Sequence, residues 1–132
     1  MEQKIVKDRN FVTKGDLDEL EQAALSGNYE AAYDLAYFYI QGNKEIPYND
    51  ELVLKWMTFS AENGYSPAMI VLYNIYRGKY NGLNMPNDSE KAWKWLNKSY
   101  DAGFILAKRE LGNCYRNGII VDKDLEKARA YY

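Results

Sequence analysis

The chain has 132 residues, of which 47% are hydrophobic and 27% charged, and its formal net charge is −2. These values are typical of a globular domain large enough to bury a core. Because the sequence contains no histidine and a single cysteine, imidazole catalysis, His/Cys zinc sites and internal disulfides are excluded.

Composition also bears on the location and the partners of the protein. No stretch approaches the roughly 18 apolar residues that cross a membrane. The first residues, MEQKIVKDRNFVTKGD, lack the apolar core of a secretory signal. We therefore expect a cytoplasmic protein with no membrane partner. The sequence pI of about 5.2 does not suit phosphate-backbone binding, so no nucleic-acid partner is expected. No motif indicates a cofactor.

The predicted elements are all helices. The first covers residues 16–26, carries an apolar stripe of Leu17, Leu20, Ala24 and Leu25, and ends at Gly27. Carboxylates in its first turn, among them Asp16, complement the helix dipole. Six more helices are predicted over residues 29–41, 50–63, 67–77, 89–102, 105–117 and 124–132.

An internal repeat organises these helices. The pattern Ala-x3-Leu-x3-Tyr occurs three times, 37 residues apart (31 to 68) and then 39 apart (68 to 107). Its copies are Ala31, Leu35 and Tyr39; Ala68, Leu72 and Tyr76; Ala107, Leu111 and Tyr115. A spacing of four places the three residues of each copy on one helix stripe, which we expect to be buried and structural. Such self-similarity is the signature of a repeat fold.

A second helix follows each copy of the pattern. A residue able to cap a helix stands ahead of it, namely Asn49, Asp88 or Asp124. Trp56 and Trp95 hold equivalent positions, followed by Tyr131, and the two tryptophans are expected to be buried between helices. Trp93 is expected to be half exposed.

Three further local expectations come from the same alignment. Ser66 is predicted as the N-cap of the fourth helix, with Pro67 as its first residue. Tyr100 stands where the earlier units have Ala24 and Ala61, so packing there must be shifted. Cys114 aligns with apolar residues and is expected to be a buried core residue and not a nucleophile.

These residues resemble the Sel-one-like repeat (SLR) family, which is related to the tetratricopeptide repeats. The third unit carries the family pattern as Gly103, Ala107, Leu111, Tyr115, Gly118, Asp124, Lys127 and Ala128. The resemblance implies an all-α fold, a right-handed α-solenoid of about seven helices stacked in pairs. It implies one domain over residues 1–132, with a half repeat (16–27), repeats over 28–64 and 65–103, and a third repeat over 104–132 whose second helix is short.

Candidate binding residues follow from the helix geometry. Solenoids bind along an extended concave surface, which the first helix of each pair lines opposite its buried stripe. At 100° per residue, positions two, six and nine after each repeat alanine lie there. The candidates are Tyr33, Tyr37 and Ile40; Ile70, Asn74 and Arg77; and Arg109, Asn113 and Arg116.

The chemistry of these candidates suggests a partner. Tyrosine and arginine are enriched at binding hot spots, and arginine pairs with carboxylates, so a protein partner with an acidic contact face is expected. Alternatively, the nine residues form a solvated face, with Tyr33 and Tyr37 packed against the N-terminal segment.

The resemblance implies a non-enzymatic protein–protein interaction module. It would be an adaptor or a dedicated inhibitor, such as the immunity proteins found among small bacterial SLR proteins. Two other classes stay open, a nucleic-acid-binding repeat protein and a hydrolase working through Asp, Glu or Lys. The final residues, Tyr131 and Tyr132, close a helix stack poorly, so self-association through the C-terminal face, a covering partner or a shortened chain also stays open.

Overall fold

Each copy of the repeat pattern lies on a helix in the computed structural model of the chain. The structure describes residues 13–42, 46–79 and 87–132, and this part of the chain forms seven α-helices and no strand. The helices are α1 (Lys14–Leu25), α2 (Tyr29–Gln41), α3 (Asp50–Glu62), α4 (Ser66–Tyr76), α5 (Ser89–Asp101), α6 (Ile105–Asn117) and α7 (Leu125–Tyr131). The predicted bounds agree within two residues at every end.

The helices belong to two compact units of the chain, unit 1 (Met1–Ala68) and unit 2 (Met69–Tyr132). In unit 1, α2 packs against α1 and against α3. In unit 2, α6 packs against α5 and against α7. The all-α fold built from helix pairs is confirmed, whereas the assignment of one domain with the repeat boundaries given above stays a prediction.

The core of unit 1 lies where α2 meets its two neighbours. Leu20, Leu35, Val53 and Met57 are at most 2% exposed. Ser60 is also fully buried, and its hydroxyl donates a hydrogen bond of 2.6 Å to the carbonyl of Tyr29. Because this bond satisfies the buried hydroxyl, a polar residue in the core ties α3 to α2.

The core of unit 2 is built from residues at the same positions of the repeat as the core of unit 1. Leu72, Leu96 and Leu111 are at most 1% exposed, and Cys114 is fully buried among them. The prediction that Cys114 is a core residue is therefore confirmed.

The tryptophans lie as the repeat predicted. Trp56 and Trp95 are buried, at 3% and 6% exposure. Trp93 is half-buried, and its ring meets Tyr115 edge to face with 5.8 Å between centroids. Tyr100, which replaces a small residue, is 38% exposed because its ring turns out of the core and packs edge-on against Tyr131 at 5.4 Å.

Side-chain caps start the second helices. The side-chain oxygens of Asn49, Asp88 and Asp124 accept hydrogen bonds of 3.0–3.1 Å from the backbone N–H three residues ahead. All three predicted caps are confirmed. The glycines that end α3 and α5, Gly64 and Gly103, have φ of +96° and +86°, a region in which glycine avoids the strain of a side chain.

The tyrosines of the repeat pattern are less buried than the sequence predicts. Tyr39, Tyr76 and Tyr115 are half-buried and not core residues, because a tyrosine ring keeps its polar hydroxyl near the surface. The ammonium groups of Lys91 and Lys127 lie 5.5 and 5.4 Å from the ring centroids of Tyr76 and Tyr115. The carbonyls of the three tyrosines accept the backbone N–H of the three cap residues, at 3.3, 2.7 and 2.7 Å respectively. The repeat tyrosine therefore marks the point where the end of one helix is bonded to the start of the next.

The starts of α1 and α4 also differ from the sequence prediction. Helix α4 begins at Ser66 and not at Pro67, because the Ala68 N–H bonds to the Tyr65 carbonyl at 3.1 Å, which places Tyr65 before the helix. Helix α1 begins at Lys14, where Thr13 and Asp16 form a reciprocal capping box with N–H to side-chain distances of 2.9 and 3.3 Å. Asp16 thus has a specific capping role beyond its effect on the dipole.

Candidate functional site

All nine candidate binding residues are accessible to solvent. Arg109 and Arg116 are exposed, and the other seven are half-buried, namely Tyr33, Tyr37, Ile40, Ile70, Asn74, Arg77 and Asn113. The buried stripe of the same helices, which includes Leu35, Leu72 and Leu111, is at most 1% exposed. Burial thus agrees with the helical faces assigned from the sequence. That these residues contact a partner stays a prediction.

Three of the candidates lie in unit 1, where aromatic rings dominate. Tyr33 contacts Tyr37 edge to face at 5.0 Å, and it contacts Tyr65 in the same way at 5.2 Å. We call Tyr33, Tyr37 and Tyr65 the tyrosine cluster. Edge-to-face pairs hold rings in fixed orientations, so the cluster presents a preformed aromatic surface.

A shallow pocket opens beside the tyrosine cluster. Its volume is about 330 Å³, and Tyr33, Asp34, Tyr37 and Phe38 line it. The carboxylate of Asp34 makes this surface aromatic and acidic, so its chemistry differs from that of the candidates in unit 2. The alternative that Tyr33 and Tyr37 pack against the N-terminal segment concerns residues 1–12, which lie outside the described residues.

Six candidates lie in unit 2, and Arg77 is the most firmly held of its basic side chains. The Arg77 guanidinium carbon lies 4.9 Å from the centroid of the Tyr73 ring. Its Nε donates to Asn74 Oδ1 at 3.0 Å. An arginine fixed in this way loses less side-chain entropy when it binds a carboxylate.

Helix α6 adds further positive charge to unit 2. It carries Lys108, Arg109 and Arg116 against one acidic residue, Glu110. Both arginines and the lysine are exposed, whereas Glu110 is half-buried. We call Arg77, Arg109 and Arg116 the arginine set. It is a basic feature of a chain whose net charge is negative.

A buried pair joins the two helices that carry the arginine set. The Tyr73 hydroxyl on α4 and Cys114 Sγ on α6 lie 3.3 Å apart, and both residues are fully buried. Burial raises the pKa of the Tyr73 hydroxyl, and the hydrogen bond with Cys114 raises it further. Burial also raises the pKa of the Cys114 thiol, although its bond with Tyr73 acts in the opposite direction. Cys114 is therefore a structural thiol.

We expect Cys114 to be inert toward thiol reagents in the folded chain, because the thiol is inaccessible and protonated. Reaction with dithionitrobenzoate should be at least about a thousandfold slower than in the unfolded chain, since it requires opening of the core. The absorbance of the released thionitrobenzoate measures the rate. The chain in concentrated guanidinium chloride is the control and should release one equivalent at once. Rapid labelling of the native chain would show that the α4–α6 seam is open.

Asn113, another candidate residue, is bonded to Tyr132. The Tyr132 hydroxyl donates a hydrogen bond to Oδ1 of Asn113. The Tyr132 ring lies over Gly112, where an added Cβ would come within 2.9 Å of Tyr132 Cζ. Glycine at position 112 therefore allows Tyr132 to reach α6, and this contact holds the Asn113 side chain.

The other C-terminal tyrosine also packs within unit 2. The Tyr131 ring stacks on Tyr115 with 5.9 Å between centroids and an interplanar angle of 8°. Tertiary packing joins the two rings, and no local sequence pattern marks the stack. Repeat spacing offered one hint, since Tyr131 holds the position of Trp56 and Trp95.

Within residues 13–42, 46–79 and 87–132, no group of three acidic or cysteine side chains is arranged to hold a metal ion. None of the described helices combines the length and the hydropathy that membrane crossing requires. The features that stand out are therefore surfaces, the tyrosine cluster in unit 1 and the arginine set in unit 2.

Comparison with known families agrees with the repeat. The Sel1 repeat family model matches residues 30–65, 75–104 and 105–132. These segments together cover more than half of the chain and correspond to the three units found in the sequence.

Solved structures with this fold are similar to the chain. A Sel1 repeat protein from Oxalobacter formigenes is 30% identical, with a TM-score of 0.73 over 89% of this chain and 85% of that one. A protective antigen of uropathogenic Escherichia coli strains, which displays an SLR fold, is 33% identical, with a TM-score of 0.76. The match covers 87% of this chain and 24% of the antigen.

Two fungal proteins are also similar in sequence. The chitin synthase regulator SKT5 of Malassezia restricta is 26% identical over 113 residues, and that of Saccharomyces cerevisiae is 30% identical over 112 residues. The matches cover 86% and 84% of this chain, but the chain spans only 8% and 16% of the length of these relatives.

Proposed function

The chain belongs to the Sel1 repeat family, whose repeats form protein-interaction scaffolds, and on that premise we propose that it is a non-enzymatic module that binds a partner protein through the exposed faces of α2, α4 and α6. The observation that carries the proposal is the arginine set, a group of accessible basic side chains on helices with a fully buried opposite stripe.

The arginine set favours a partner with an acidic contact face. Arg77 is held by Tyr73 and Asn74, and Arg109 and Arg116 are exposed. Guanidinium groups bind carboxylates with two parallel hydrogen bonds. An aspartate- or glutamate-rich segment is therefore the complement of this surface.

The tyrosine cluster is proposed as a second contact, in unit 1. Its three rings are held edge to face at 5.0 and 5.2 Å. Rigid aromatic rings contribute large contact area at low entropic cost. Because its rings offer partly exposed apolar faces, the complement of the cluster is an apolar or aromatic side chain.

The proposed role is to regulate or connect another protein. The fungal relatives bear the name of chitin synthase regulators, which agrees with a module that acts through a bound protein. Whether the module is an adaptor or a dedicated inhibitor depends on that protein. A cytoplasmic location is part of the proposal, and its support is the single buried thiol, which suits a reducing compartment.

Charge reversal tests the proposal. Arg109→Glu combined with Arg116→Glu is expected to weaken partner binding at least about a hundredfold, because two charge-assisted contacts become repulsive. The partner is first captured from a cell lysate and identified by mass spectrometry. The affinity of the purified partner for each variant is then measured by isothermal titration calorimetry.

The matched control reverses two exposed lysines on helices other than α4 and α6, Lys14→Glu with Lys94→Glu. It changes the net charge by the same amount and should alter affinity by less than about threefold at physiological salt. Circular dichroism verifies the helix content of both variants. An equal loss of binding in the two variants would mean that the change in net charge alone causes it. No loss in the arginine variant would refute the proposed surface.

A further inference from the structure

Unit 1 has a larger pocket away from the exposed face of α2. It lies between α1 and α3 and has a volume of about 540 Å³, within the range of ligand-binding pockets. Its apolar wall consists of Leu25, Leu54, Trp56 and Phe59, and its rim carries the carboxylates of Glu21 and Glu62. We call it the α1–α3 pocket.

The apolar wall exceeds what the repeat fold requires. Leu25 is 61% exposed, although it is a large aliphatic residue. At the equivalent position, two residues before the glycine that ends each helix, the later repeats have Glu62 and Asp101. Phe59 likewise corresponds to Lys98, three residues after the repeat tryptophan. The chain thus folds with charged residues at these positions. Phe59 packs edge to face on Tyr29 at 5.6 Å and on Trp56 at 5.7 Å, whereas Leu25 leaves a large apolar side chain at the surface that the helix packing does not require.

The rim of the pocket is negative. Glu21 and Glu62 face a single lysine, Lys55, whose ammonium lies 4.9 Å from the centroid of the Trp56 ring. Burial raises the pKa of the nearby Tyr39, and the charges of Glu21 and Asp18 raise it further. The negative potential therefore extends along α1, so a ligand carrying positive charge is favoured there.

We propose that the α1–α3 pocket binds a protein segment in which a large apolar side chain stands next to arginine or lysine. The apolar side chain fills the space between Leu25 and Phe59. The neighbouring cation pairs with Glu21 and Glu62 at the rim. The partner chemistry is thus opposite in charge to that expected at the arginine set, and this inference does not depend on the proposed function.

Selection from a phage-displayed random dodecapeptide library on the full chain tests the proposal. The enriched peptides should share an apolar residue adjacent to Arg or Lys. Their dissociation constants are then measured by fluorescence polarisation. Leu25→Glu should weaken binding at least about tenfold, since it places a carboxylate in the apolar wall. Glu62→Lys should weaken it by a similar factor, since it reverses a rim charge.

The variants and controls separate the possible outcomes. Leu25→Glu introduces the residue type that the next repeat already has at this position, so the fold should persist, as circular dichroism can verify. Leu125→Glu changes a leucine of unit 2 that is 51% exposed and should leave binding unchanged, as should reversal of Arg109 and Arg116. Lack of any enriched peptide, a consensus without basic residues, or equal binding to Leu25→Glu would overturn the proposal.

Discussion

Replacing Leu72 with alanine is expected to lower the free energy of unfolding by about 2–5 kcal/mol, the range measured for truncations in well-packed cores. Leu72 lies on α4, is fully buried, and holds the central position of the second copy of the repeat pattern. Truncation removes apolar contacts and leaves a cavity that the surrounding helices close only in part. Urea denaturation followed by circular dichroism gives the difference directly.

The matched control is Leu106→Ala on α6, where the same side chain is 47% exposed. Its loss should change the free energy of unfolding by less than about 0.5 kcal/mol, as is usual at surface positions. If Leu72→Ala cost no more than this control, the stripe of repeat leucines would not be the core, and the face opposite it would no longer be the binding face.

Alkaline pH is expected to destabilise the chain through the buried pair of Tyr73 and Cys114. Burial is the main reason that the pKa of each group is raised above its ordinary value, which is 10.0 for the tyrosine and 9.0 for the cysteine. In the folded chain each group therefore loses its proton at a higher pH than in the unfolded chain, which releases both protons near the ordinary values. The stability they provide is therefore complete below about pH 9 and is lost as the pH rises.

The size of the effect follows from proton linkage. Each group that ionises only in the unfolded chain lowers the free energy of unfolding by about 1.4 kcal/mol per pH unit above its ordinary pKa. Urea denaturation at several pH values between about 8 and 11 measures the slope.

A variant without the two ionisable groups isolates their contribution. Tyr73→Phe combined with Cys114→Ala has a lower stability at neutral pH, because it loses a hydrogen bond and packing volume. Above pH 10, its free energy of unfolding should nevertheless fall less steeply than that of the wild type, by at least about 1.4 kcal/mol per pH unit. Identical slopes in the two proteins would mean that the pair ionises as easily in the folded chain as in the unfolded one.

Local sequence determines much of this fold. The caps at Asn49, Asp88 and Asp124 were predictable because a capping side chain bonds to an N–H only three residues away. The buried leucines and alanines were predictable because a four-residue spacing can only produce one helix stripe. The same periodicity placed the arginine set and two rings of the tyrosine cluster, Tyr33 and Tyr37, on accessible faces.

Tertiary structure decided the features that join distant residues. The Tyr73–Cys114 bond spans 41 positions, and no local pattern marks it, because its partners meet only when α4 packs beside α6. The contact of Tyr132 with Gly112 and Asn113 depends equally on packing. The repeat tyrosines were expected in the core, but the sequence period could not show that their rings stay half-buried, with Lys91 and Lys127 of the following helices over Tyr76 and Tyr115.

The α1–α3 pocket shows most clearly what the sequence determines and what only the tertiary structure decides. The sequence placed Leu25 in the apolar stripe of the first helix, and this was wrong, because Leu25 is 61% exposed in the structure. It did not show that Leu25 and Phe59 line one pocket, because helical periodicity fixes the direction of a side chain on its own helix but not the neighbour on another helix. Helix faces are set by the sequence period, whereas surfaces shared by two helices are set by how the helices pack.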